Sequence, residues 1–120
     1  MHVQGERFAT MRRLFNDEGT LVRVLGAFGA ATRDDLRVLG EAHDRLDLRG
    51  IAEVAHKLKS ACAQVDDEAA ADCLDALEDA AAMGTSPALV TSLVDEATVR
   101  VAELADAVDA YVAAHGTDAR

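Results

Sequence analysis

His56, Lys57 and Lys59 stand together in an alanine-rich stretch of helical character, and the two lysines are the only ones in the chain. At about 100° per residue, Val54, Leu58 and Val65 fall opposite His56, with Ile51, Ala61 and Cys62 flanking them. The imidazole is therefore expected to face water. Ala52, Ser60 and Ala63 surround it, with Arg49, Glu53 and Lys59 close by. Histidine is a nucleophile in its neutral form, and its ordinary pKa of about 6.5 leaves that form abundant near neutral pH. Nearby ammonium groups favour the neutral ring and can hold phosphate oxygens. Small neighbours let another protein reach the ring. These residue types in this pattern suit phosphoryl handling. Lys59, one turn on, is better placed for it than Lys57, which points to the side. Glu53 is a candidate hydrogen-bond partner for one ring nitrogen, against the plainer reading of a solvated charge.

The rest of the chain must hold that helix rigid. Its 120 residues make one domain, half of them apolar, with three Phe, one Tyr and no Trp. Such a core is aliphatic, and one proline and few glycines suit long helices. The formal charge of −10 repels phosphate backbones and anionic lipid, which argues against nucleic-acid and membrane partners. No apolar run approaches the roughly 20 residues of a membrane span. The polar N-terminus lacks a signal-peptide segment, so a cytoplasmic location is expected. Cys62 and Cys73 sit at apolar helical positions and read as buried free thiols; their spacing gives no metal signal.

Residues 1–17 are expected to form a segment with a short helix bearing a stripe of Phe8, Met11, Leu14 and Phe15. Residues 18–47 carry a seam of Leu25, Thr32, Leu39 and Leu46 beside Leu21, Phe28, Leu36 and Ala42, with Gly26 and Gly29 positioned for close packing or a bend. A second line, Val24, Ala31 and Val38, is either peripheral core or an exposed docking strip. The histidine helix spans about 48–65. The next, about 67–83, buries Ala70, Cys73, Leu74, Leu77 and Ala81 and stops at Gly84. Ser86 and Pro87 open the last helix as cap and first-turn proline, and it repeats Val90, Ala97, Leu104 and Tyr111 beside Val94, Val101 and Val108. Residues 116–120 read as a disordered tail. The expected fold is all-α: an antiparallel up-down four-helix bundle over 18–115 with a short extra N-terminal helix.

The run His56-Lys57-Leu58-Lys59-Ser60-Ala61 resembles the His-x-Leu-Lys-Gly-Ser/Ala signature of histidine phosphotransfer (HPt) domains. The aliphatic run with Phe28, Leu39 and Ala42 resembles the helix before that signature. Cys73-x-x-x-Leu77-Glu78 resembles the region after it, with one extra residue between Cys and Leu. The resemblance implies that His56 takes a phosphoryl group from a receiver-domain aspartate and passes it to another, with Lys59 balancing the phosphate charge. Lys57 and Arg49 would add positive charge facing the receiver's acidic site, with Val24, Ala31 and Val38 as the docking surface. Glu78 matches a position where some members place a polar residue near the histidine. Ser60 stands where the family prefers glycine, and Asp66 where many members have a helix-ending glycine.

The implied partners are response-regulator receiver domains and a hybrid histidine kinase. The implied protein is a monomer with no cofactor and no metal of its own, the Mg²⁺ belonging to the receiver. No glycine-rich phosphate loop is present, so no autonomous kinase activity is expected. A second reading is a non-catalytic helical adaptor that binds a receiver or dimerises. A metal-assisted bundle enzyme would need paired inward Glu-x-x-His motifs, which the sequence lacks.

Overall fold

The computed structural model describes residues 8–116, and among them five helices and no strand. They are α1 (Ala9–Leu14), α2 (Glu18–Asp44), α3 (Leu48–Gln64), α4 (Glu68–Met83) and α5 (Pro87–Gly116). The start of the N-terminal segment, with His2, and residues 117–120 of the expected tail lie outside the described residues. Gly116, expected in that tail, is the last helical residue of α5.

Local chemistry sets the boundaries. Asp17, Asp47 and Asp67 each accept a hydrogen bond from a backbone amide three residues on, at 2.8–3.1 Å, and so cap α2, α3 and α4. Ser86 does the same for α5, with Pro87 in the first helical position. The three connections between α2 and α5 share one ending. A backbone amide bonds to the carbonyl five residues back (Asp47 to Ala42, Asp67 to Cys62, Thr85 to Ala80), and the residue before it adopts a left-handed conformation. Gly84 takes that conformation at φ 64° without a Cβ clash. Leu46 and Asp66 take it with side chains, at φ 55° and 64°. This corrects the seam reading of Leu46: α2 ends at Asp44, and the left-handed turn leaves Leu46 74% exposed.

Neighbouring helices run in opposite directions. Along α2 and α5, Glu18 meets Tyr111, Arg33 meets Asp106 and His43 meets Thr91. Along α3 and α4, His56 meets Glu78 and Lys59 meets Asp75. Each of the four long helices packs on the next, and α5 packs back on α2, closing a four-helix bundle. Leu21, Leu25, Leu39, Ile51, Leu58 and Leu104 are fully buried in its centre, as are Val101 and Val108. Gly29 allows α2 to approach α5 closely, because a Cβ there would lie 3.3 Å from Val108. Gly26 faces open space and has no such role.

With 27 and 30 residues against 17 and 16, α2 and α5 outrun α3 and α4 by roughly 15–20 Å at 1.5 Å per residue. The helix α1 lies at the end where they do so. Phe8 is fully buried and meets Tyr111 edge-on, and Met11 joins the core. Leu14, expected on the same stripe, is 68% exposed. It falls about 110° from the Phe8–Phe15 line at 100° per residue. Thr10 donates its amide (3.0 Å) and its hydroxyl (2.8 Å) to the Asp66 carboxylate at the α3–α4 turn.

Those two bonds hold the Asp66 carboxyl below the usual carboxylate range. A lowered folded-state pKa gives a contribution that is full above the unfolded value and lost as pH falls through the folded one. The tie of α1 to the bundle is therefore expected to persist down through the ordinary Asp value of about 3.9 and to loosen only below it. Following the Thr10 amide signal by NMR against pH checks this. A midpoint at or above the ordinary value would contradict the bonding.

Candidate functional site

The α3 helix turns Ile51, Val54, Ala55, Leu58 and Cys62 into the core. His56 follows Ala55 on the way out, and its side chain is 64% exposed. On α4, Leu77 is fully buried and Glu78 sits at the rim toward α3. Packing of the two helices brings Glu78 Oε2 to 3.0 Å from His56 Nδ1. The other carboxylate oxygen accepts a hydrogen bond from Lys59 Nζ at 2.8 Å. Lys59 also donates to Asp75 Oδ1 at 2.9 Å, one helical turn earlier on α4.

This geometry fixes the ring chemically. The hydrogen bond from Lys59, first of all, holds the Glu78 carboxyl below its ordinary range, so Glu78 is an ionised acceptor near neutral pH. An ionised carboxylate can only accept, hence Nδ1 carries the proton. In the neutral ring Nε2 then carries the lone pair, directed away from Glu78. Lys59 in turn is held well above the usual ammonium range by its bonds to Glu78 and Asp75. The site is a chain: two carboxylates fix an ammonium, and one of them orients an imidazole.

The role foreseen for Glu53 is filled by Glu78. Glu53 instead lies 3.5 Å from Arg49, an exposed pair one turn apart. Lys57 and Lys59 do not both border the ring. Lys57 turns to α2 and donates to Asp35 at 3.3 Å, while Lys59 turns to α4. The positive patch expected around His56 is thereby neutralised, with Asp35, Glu53, Asp75 and Glu78 set against Arg49, Lys57 and Lys59. Sequence reasoning missed Asp75 and Asp35. Their signal is the three-residue spacing to Glu78 on one helix and an acidic pair at 34–35 on the other, and it needs the register between helices to be read.

Beside the ring lies an open depression lined by Arg49, Ala52, Glu53, His56 and Glu78. Helical side chains lean toward the N-terminus of their helix, so the imidazole lies over the turn containing Ala52. Ser60 and Ala63 are exposed and stand behind it, one and two turns toward the C-terminus. Of the proposed docking strip, Val24 and Val38 are half-buried against the core and Ala31 is exposed. The three do not form a continuous open surface, although Val38 borders a groove shared with Asp35 and Lys57.

Other chemistry-bearing groups lie elsewhere. His43 Nε2 is 3.0 Å from Thr91 Oγ1 on α5. His115 stacks on Tyr111 and sits 3.4 Å from Glu18 at the α1 end. Cys62 and Cys73 are buried free thiols; burial pushes the Cys62 thiol up to about 12 and raises that of Cys73 as well. Among the described residues no three His, Cys, Asp or Glu side chains converge as metal ligands, and no helix is long and apolar enough to cross a membrane.

A family model described as Hpt domain matches residues 23–114. The match takes in all of α3 and α4 with most of α2 and α5, and leaves α1 outside. No curated protein and no solved structure matches the chain.

Proposed function

The chain belongs to the Hpt domain family, whose domains serve histidine phosphotransfer in phosphorelays, and from that premise we propose that His56 is its phosphoacceptor. The Nε2 lone pair attacks the phosphorus of an aspartyl phosphate on a receiver domain. The N–P bond forms as the P–O bond to the aspartate breaks, and the aspartate leaves as a carboxylate. The phosphorylated ring keeps its Nδ1 proton and gains positive charge, which the Glu78 carboxylate 3.0 Å away offsets. Lys59 balances the charge of the site from behind Glu78. The reverse attack, by the aspartate of a second receiver, regenerates the neutral ring.

One observation carries this reading: an exposed imidazole whose Nδ1 is tied to a carboxylate, leaving Nε2 as the free nucleophile. The chain supplies positioning. Mg²⁺ and the acidic pocket that stabilises the transferring group belong to the receiver. The carrier is monomeric and cytoplasmic and needs no cofactor of its own. Ser60, exposed beside His56, supports a second reading, an adaptor that binds a receiver without taking its phosphate.

A receiver charged with labelled phosphate separates the two. Transfer of acid-labile, base-stable label to this chain supports the carrier; binding without label supports the adaptor. Within the carrier reading, Glu78→Gln keeps an acceptor for Nδ1 and loses the charge. Transfer is expected to slow roughly ten- to a hundredfold, the scale of one charge-assisted hydrogen bond. Single-turnover kinetics with circular dichroism as a folding control measure it.

A further inference from the structure

The cation that meets a phosphoryl group on His56 must reach the Nε2 side of the ring. Lys59 is anchored on the other side: its ammonium lies 2.8 Å from Glu78 and 2.9 Å from Asp75, and its side chain is only 27% exposed. Lys57 is turned toward α2 and Asp35. Of the three cations that α3 brings near His56, only Arg49 borders the depression beside the ring.

We propose that Arg49 closes over the phosphoryl group of phospho-His56 and binds its oxygens through the guanidinium. The proposal rests on the carrier reading above and names the ligand-holding residue of that site. Arg49, Ala52, Glu53 and His56 lie on one face of α3 at spacings of three and four residues. Ala52 has no side chain beyond Cβ, so nothing on that face blocks the path between them. Arg49 is 90% exposed, and among the described residues its ion-pair partner is Glu53, itself 72% exposed, at 3.5 Å. Such a surface pair is weak, so the guanidinium is free to exchange it for a doubly charged phosphoryl group. A guanidinium presents parallel N–H donors that match phosphoryl oxygens two at a time. No bond is made or broken in this step; it trades one ion pair for a stronger one.

The test phosphorylates the full chain with phosphoramidate, a small donor that needs no receiver, and records arginine Nε–H signals before and after. Arg49→Lys assigns the signal. The Arg49 signal is expected to move downfield on phosphorylation. Phosphohistidine should also decay faster in Arg49→Ala, roughly three- to tenfold, because a cation on the phosphoryl oxygens stabilises the intact group more than a loose transition state. An Arg49 signal that stays in place, or an unchanged lifetime in Arg49→Ala, overturns the proposal while leaving the carrier reading intact. A chain that takes no phosphoryl group at His56 from either phosphoramidate or a receiver overturns both.

Discussion

Replacing His56 with glutamine is expected to reduce phosphoryl acceptance to background while leaving the helical content and thermal midpoint unchanged. Glutamine fits an exposed helical position and can still donate to Glu78, but its amide nitrogen has no lone pair available for attack. The effect is all-or-none because the other described histidines cannot substitute. His43 is bonded to Thr91 on α5, and His115 packs on Tyr111 at the α1 end. The fold survives because the His56 side chain is 64% exposed and contributes no core surface. Label transfer from a charged receiver, beside circular dichroism, checks both halves. Residual label on His56→Gln would place the acceptor elsewhere.

The opposite face of the same helix gives the second large effect. Leu58 is fully buried, two residues from His56. Leu58→Ala removes buried apolar atoms and leaves a cavity among tightly packed neighbours, which is expected to destabilise the fold by about 2–5 kcal/mol. For a domain of this size that lowers the thermal midpoint by on the order of ten degrees or more. Denaturant and thermal unfolding measure it. Below the new midpoint, transfer to His56 should proceed at close to its former rate, because Leu58 points into the core and does not line the depression. The two substitutions thus separate what α3 does for the fold from what it does for chemistry. A Leu58→Ala chain with unchanged stability would mean the helix is not seated as described.

The contrast between those two faces is visible in the sequence, because it depends only on helical periodicity. The same holds for α5, where Val90, Ala97 and Leu104 beside Val94, Val101 and Val108 are all buried. The capping residues Asp17, Asp47, Asp67 and Ser86 are equally local signals, since each acts on an amide three residues away. Two features escaped local reading: left-handed conformation at Leu46 and Asp66 is set by the helix-ending hydrogen bonds, and while Asp tolerates it, Leu does not advertise it. Asp66 does stand where the family resemblance places a glycine, which is the residue that conformation favours.

The site was less legible than the fold. His56 is identified by its direction and neighbours on one helix. Its partner is not identified by spacing: the residues alone favour Glu53, only the family resemblance points to Glu78, and choosing between them requires knowing which turn of α4 lies against which turn of α3. That register follows from packing of Leu58, Cys62, Leu74 and Leu77, all fully buried, and not from any spacing within α3. The lysines show the same limit. Counting charge along α3 gives a positive patch; the facing helices supply Asp35, Asp75 and Glu78 and cancel it. The resting site therefore sets four carboxylates against the three cations of α3.

Phosphotransfer through Nε2 of His56 is read directly by magnetic resonance on the ¹⁵N-histidine-labelled, phosphorylated chain. One phosphorus signal coupled to Nε2 of His56 is expected, with Nδ1 of the same ring still carrying its proton toward Glu78. Coupling to Nδ1, to the nitrogen of another histidine, or to none would contradict it.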